Sequence, residues 1–287
     1  MKTLLLVLKG FFIGIANVIP GVSGGTIAII LGIYEEFISS ISNLFKNFKK
    51  NFKFLLPILI GMGLSILIFS KLIGYSYDNF PLPTMLFFVG LVLGGIPMLL
   101  KNVKGKKESK KVGSYIIFAL TFSLVIFMAS YKILFDISSE VSFSNMNISG
   151  YIILFIVGVV AAATMVVPGV SGSLVLMILG YYYPIISTIN NLLKFNNLFG
   201  DLLILGIFGI GVLLGIVLIS KLLELLFEKY NTQTYFGVLG FIFASIIAIP
   251  LSTCIEVSNL SFDFVQIIFG LMFLVIGTLV SYKLGEK

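Results

Sequence analysis

Two short stretches carry the residue types that could hold an anion. Pro20-Gly21-Val22-Ser23-Gly24-Gly25-Thr26 and Pro168-Gly169-Val170-Ser171-Gly172-Ser173 lie 148 residues apart and match in order. Proline lacks a backbone donor and glycine favours unwound chain, so such a run suits the middle of an ordinary helix poorly. It offers instead exposed backbone N–H groups, the hydroxyls of Ser23, Thr26, Ser171 and Ser173, and the positive end of whichever helix follows. That donor set suits phosphate. The architectural alternative is that the glycines only let helices approach and the prolines only kink them. Occurrence at corresponding positions of two related segments favours a binding role.

Other polar residues sit in apolar surroundings near these motifs. Lys71 and Lys221 are paired by the matching tripeptides Ser70-Lys71-Leu72 and Ser220-Lys221-Leu222. A lysine inside an apolar span is expensive, which makes it a candidate phosphate contact, against the alternative of snorkelling from a helix end. The chain has no arginine, so lysine is its only fixed cation, acting as a point charge rather than a bidentate fork. Glu35 directly follows Gly32-Ile33-Tyr34 and is a candidate carrier of a coupling proton; the alternative is that Glu35 and Glu36 merely mark an aqueous exit. Asn17 could donate to a ligand or cap the break, which its counterpart Met165 cannot do.

Several chemistries are disfavoured by composition. With no histidine and one cysteine, Cys254, the chain has no imidazole base, no Ser-His-Asp triad, no internal disulfide and no cysteine-based metal cluster. No cofactor is expected. The formal net charge of +7 fits orientation in a membrane rather than nucleic-acid binding.

The elements that must position the motifs are membrane helices. Hydrophobic residues make up 59% of the chain and mean hydropathy is +1.14, with several apolar runs long enough to cross a bilayer. Met1 to Ile19 lacks a small-residue cleavage pattern and belongs to the repeat, so no cleaved signal is expected. Irregular backbone at membrane depth survives only where protein buries it or a watery cavity faces it. Each motif is therefore read as the tip of a hairpin that enters the membrane and returns to the same side.

The duplication organises the whole chain. Repeat 1 covers 1–147, with a re-entrant hairpin over 4–41 and spans at 54–74, 82–100 and 112–135. Repeat 2 covers 148–287, with a hairpin over 150–189 and spans at 201–227, 234–253 and 262–282. Thr84 and Gly90 meet Thr234 and Gly240 in the alignment, as Leu31-Gly32 meets Leu179-Gly180. The expected fold is an all-α polytopic membrane protein of two inverted-topology repeats, each a re-entrant hairpin plus three transmembrane helices.

Inversion follows from charge. The Lys46–Lys53 loop and the Lys101–Lys111 loop, which holds six lysines, belong in the cytoplasm by the positive-inside rule. Three crossings later the lysine-free 136–149 loop lies outside. The first hairpin then opens inward and the second outward, an arrangement that offers one midplane site to both faces.

These residues also carry a resemblance. Gly14-x-x-Asn17-Val18-Ile19-Pro20-Gly21-Val22-Ser23-Gly24-Gly25-Thr26 with Leu31-Gly32-Ile33-Tyr34-Glu35, and Met165 to Ser173 with Leu179-Gly180, are similar to the paired motifs of the DUF368 family. The likeness covers nearly the whole chain. It implies translocation of polyprenyl phosphate, returning undecaprenyl phosphate across the bacterial cytoplasmic membrane for envelope synthesis. The motif residues are the candidate binding site for that cargo, membrane lipids are its surroundings, and a proton or sodium ion is the candidate coupling partner. Where the family's second motif ends in Tyr-Glu this chain has Tyr182-Tyr183, which removes an acid from the second hairpin.

Two other classes fit the same outline. A small-anion or ion-coupled carrier would use the same tips. A polyprenyl-pyrophosphate phosphatase could also use serine-bearing re-entrant loops, but it needs arginine, histidine or clustered carboxylates around the transferring phosphoryl group. This chain supplies none of these, so a non-enzymatic carrier is expected.

Overall fold

A backbone surrounded by hydrocarbon satisfies its own N–H and C=O groups most simply as helix. A computed structural model describes residues 2–18, 23–104, 112–134, 141–143, 146–170, 172–193, 198–256 and 263–285, and every regular element among them is a helix. The first half runs α1 (Lys2–Val18), α2 (Gly24–Ile30), α3 (Tyr34–Ser42), α4 (Phe48–Asn79), α5 (Pro81–Val103) and α6 (Val112–Leu134). The second runs α7 (Ile148–Val166), α8 (Gly172–Ile178), α9 (Tyr182–Leu193), α10 (Leu198–Lys229), α11 (Asn231–Glu256) and α12 (Phe264–Gly285). Helix order and approximate length thus repeat.

Among the described residues five helices, α5, α6, α10, α11 and α12, contain stretches long and apolar enough to cross a membrane. The sixth expected span, 54–74, lies within α4. Large apolar side chains such as Leu120 and Leu213 stand outward, 65% and 68% exposed, as a hydrocarbon solvent demands. The chain is a multi-pass membrane protein.

The expected hairpins hold one break more than the sequence suggested. After the tip, each chain turns again at Gly32 or Gly180, with φ of 67° and 76°. Gly32 N–H donates to Ile29 O at 2.8 Å and Ile33 N–H to Ala28 O at 3.1 Å. Gly180 N–H and Tyr181 N–H donate in the same pattern to Met177 O and Leu176 O, both at 2.9 Å. This is the Schellman closure, which needs a left-handed residue after the last helical turn. The Leu-Gly pair in each repeat therefore ends α2 and α8.

Packing follows the same plan twice. α4 lies against α1 where a Cβ on Gly10 would collide with the Ile58 carbonyl and one on Gly61 with that of Val7. α10 lies against α7 through the repeat counterparts: Gly158 meets the Phe208 carbonyl, and Gly211 that of Phe155. The last helix of each half crosses over, α12 packing on α5 and α6 on α11. Gly90 faces Leu274 and Gly240 faces Phe118 at these crossings. One relationship is not repeated. α3 packs on α10, whereas among the described residues α9 has no comparable packing on α4 and stays against α10.

Candidate functional site at the hairpin tips

The first tip is a capped helix start. Ser23 adopts extended geometry ahead of α2 (φ −101°, ψ 128°), and its carbonyl accepts from Thr26 N–H at 3.0 Å and Ile27 N–H at 3.4 Å. Its side chain makes no cap. Asn17, at the end of α1, does so instead: its Oδ1 accepts from Gly24 N–H at 3.1 Å. All of α2 is buried, Thr26 to 1% exposure. Of the two roles open to Asn17, the structure shows the cap.

The second tip begins where Pro168 ends α7. Proline supplies no N–H to the preceding turn, so carbonyls there need other partners. They find them in the first half. Tyr34 Oη–H donates to Val166 O at 2.9 Å, and Ser23 Oγ–H to Val167 O at 3.4 Å. Gly169 N–H donates to Thr26 Oγ1 at 2.8 Å, in a fully buried bond. Gly169 has φ of 78°, and a Cβ there would lie 2.7 Å from the Phe241 carbonyl, so conformation and space both require glycine. Gly25 lets the tips close: a Cβ would stand 2.9 Å from Val166 O.

The structure thus brings together Asn17, Ser23, Gly24, Gly25, Thr26, Pro168 and Gly169. Gly172 starts α8 half-buried. Pro20, Gly21 and Ser171 lie outside the described residues, as do the side chains of Lys71 and Ser173. Lys221 is exposed on α10 and makes no described contact with the buried tips. Glu35 is exposed at the start of α3, where Tyr235 Oη–H donates to its Oε1. Glu35, Tyr34 and Tyr235 share a cavity of about 230 Å³ with Met98 and Phe227.

Three groups stand outside the candidate site residues of the sequence. Tyr34 is one, though it stands inside the repeated Leu-Gly-x-Tyr run. Lys9 is another: its Nζ donates to Leu31 O at 2.7 Å, where a cation suits the negative end of α2. Its signal was available, since it is a lysine within an apolar arm. The third is a latch between α3 and α10. Ser39 Oγ–H and Asn43 Nδ2–H donate to Glu224 Oε1 at 2.7 and 2.6 Å, and Asn51 Nδ2–H donates to Asn43 O at 2.7 Å. The repeat counterparts of Ser39 and Asn43, Ser187 and Asn191, are exposed on α9, and Gly74 stands where Glu224 would. The latch between the halves therefore has no counterpart joining α9 to α4.

Comparison with known proteins can be set on this geometry. The profile of the VCA0040-like, undecaprenyl phosphate translocase-like family matches residues 13–262, which contain both tips and the latch. The chain belongs to this family. It is 34% identical over 283 residues to a polyprenyl-phosphate transporter of Staphylococcus aureus, covering 98% of this chain and 95% of that one. A polyprenyl-phosphate transporter of Vibrio cholerae is 31% identical over 248 residues, covering 82% and 73%. No solved structure matches. The DUF368 resemblance is thereby confirmed, and this member of the family is a multi-pass bacterial membrane protein.

Proposed function

We propose that the chain transports polyprenyl phosphate across the membrane, with undecaprenyl phosphate recycled for envelope synthesis as its cargo. The observation that carries the mechanism is the buried interlock of the two tips through Thr26–Gly169, Ser23–Val167 and Tyr34–Val166. Each bond joins one half to the other, so parting the halves releases donors and acceptors together at the centre of the fold. The lipid phosphate takes those donors when the tips part, with Lys71 and Lys221 as the paired candidate cations of the two repeats. The prenyl chain stays in apolar surroundings throughout.

Alternating access fits the unequal halves. In this reading the hairpins are re-entrant and inverted, α3 latched to α10 closes one face, and unmatched α9 leaves the other free to open. The carboxylate of Glu35, hydrogen-bonded by Tyr235, is the proposed proton carrier.

Proteoliposomes containing the purified protein provide the test. Polyprenyl phosphate should move between leaflets, measured as the fraction that an added, membrane-impermeant phosphatase can reach. Uptake of inorganic phosphate without lipid movement would favour a small-anion carrier instead. Release of inorganic phosphate from polyprenyl pyrophosphate by the protein itself would establish an enzyme.

A further inference from the structure

Beside the tips the helices leave a trough of about 570 Å³ bounded by α1, α2, the end of α4, α5 and α12. Protein interiors normally pack as densely as organic crystals, so a void of this size asks for an occupant. Its wall is apolar and aromatic, with Phe12, Phe87, Phe88 and Phe273 among its lining. Among the described residues its hydroxyl-bearing lining is Ser76, Thr84 and Ser281, and Thr84 spends its hydroxyl on the Ser76 carbonyl at 3.1 Å. At the rim, Leu72 and Phe80 are 54% and 50% exposed. In a bilayer the trough opens sideways to lipid. Along α12, from Phe269 to Ser281, it runs about 18 Å, more than half of a ~30 Å hydrocarbon core.

The floor of the trough is the first hairpin. Ile27, next to Thr26, lies in it, and so does Ile15, two residues before the Asn17 cap. Among the described residues the second hairpin is packed differently at the same place. Val175, the repeat counterpart of Ile27, is buried among Val125, Ala129, Ala244 and Ala248. One hairpin is thus clamped by small residues while the other borders an open trough.

We propose that this trough seats the prenyl tail of the cargo, with its phosphate end directed at the tips; this rests on the transporter reading above. One trough holds one chain. A single-tailed lipid fills it, whereas a diacyl phospholipid would leave its second chain outside. A methyl-branched chain is wider than a straight one and fills more of the space between the phenylalanine rings, where dispersion contacts accumulate. Because the floor is the hairpin itself, a tail lying there touches the element that must move.

The test uses the full-length protein in nanodiscs and three single-tailed phosphates: long-chain polyprenyl phosphate, hexadecyl phosphate and dimethylallyl phosphate. Wild-type protein should bind the polyprenyl phosphate at least about tenfold more tightly than the other two. Ser76→Trp and Ile15→Trp, which fill the trough from α4 and α1, should each erase that margin while leaving dimethylallyl phosphate binding and the melting temperature unchanged. A folded variant that keeps the full margin overturns the proposal, as does hexadecyl phosphate binding as tightly as the polyprenyl lipid. Wild-type protein that binds none of the three overturns the transporter reading and the tail site with it. A measurement without variants gives the same decision should either tryptophan prevent folding. A polyprenyl phosphate with a photoreactive group in its tail should label the 80–91 and 269–281 segments; labelling scattered over the outer faces of α6 and α10 overturns the assignment.

Discussion

Gly169 donates its backbone N–H to the hydroxyl of Thr26 at 2.8 Å, joining two halves of the chain across 143 residues. Thr26 is 1% exposed, so neither partner has water as an alternative. Thr26→Val keeps the shape and leaves a buried N–H without an acceptor, which costs about 1–3 kcal/mol. Gly169→Ala should cost more, because it adds left-handed strain to a collision with the Phe241 carbonyl. Melting temperatures of the two variants in one detergent check the order.

The cap at the first tip makes a second prediction. Asn17→Ala removes the acceptor of Gly24 N–H and should destabilise by about 0.5–2 kcal/mol. Gly24→Val should act through the same bond, since a Cβ at Gly24 would overlap Asn17 Oδ1. In a double-mutant cycle the two losses should be strongly non-additive. Additive losses would show that Gly24 matters for some reason other than the cap.

In the proposed mechanism the α3–α10 latch sets accessibility on one face. Glu224→Ala removes the acceptor shared by Ser39 and Asn43. A loss of about 1–3 kcal/mol would raise the population of the unlatched form about 5- to 150-fold. Ile38 is buried on α3, so an Ile38→Cys probe in a Cys254→Ser background reads the opening. Its reaction with a water-soluble maleimide should speed up in the Glu224→Ala protein. An unchanged rate would mean that the latch does not hold α3.

Sidedness is checked in the same cysteine-free background. Single cysteines in the 101–111 loop should react only from the cytoplasmic side, and those in the 136–149 loop only from outside. Both loops reacting from one side would contradict the odd number of crossings per half, and with it the inverted arrangement.

The legible parts of this protein were those written twice. The duplicated Pro-Gly-x-Ser-Gly located both tips, because proline and glycine break helices whatever packs around them. The Leu-Gly pair was visible as a repeat, but its meaning as a second turn emerges only from the backbone, where Gly32 and Gly180 close α2 and α8 in the same way. What joins the two halves without a repeat counterpart stayed hidden. Nothing in the order of residues says that Glu224 meets Ser39 and Asn43, or that Tyr34 reaches the end of α7, because those contacts join segments far apart in the chain. The glycines that the structure explains all serve close approach. Gly10, Gly61, Gly158 and Gly211 serve helix packing, while Gly25 and Gly169 allow the tips to meet.

The central claim is that lipid phosphate crosses only when the two tips part. The most direct measurement is polyprenyl phosphate movement in proteoliposomes containing a Cys254→Ser protein with Ser23→Cys and Val167→Cys, before and after joining the two thiols with a short reducible cross-linker. Ser23 already touches Val167, so the linker should hold the observed contact without distorting it. The account predicts transport in the free form, arrest in the linked form and recovery on reduction. Transport that continues at the same rate with the tips linked would contradict it.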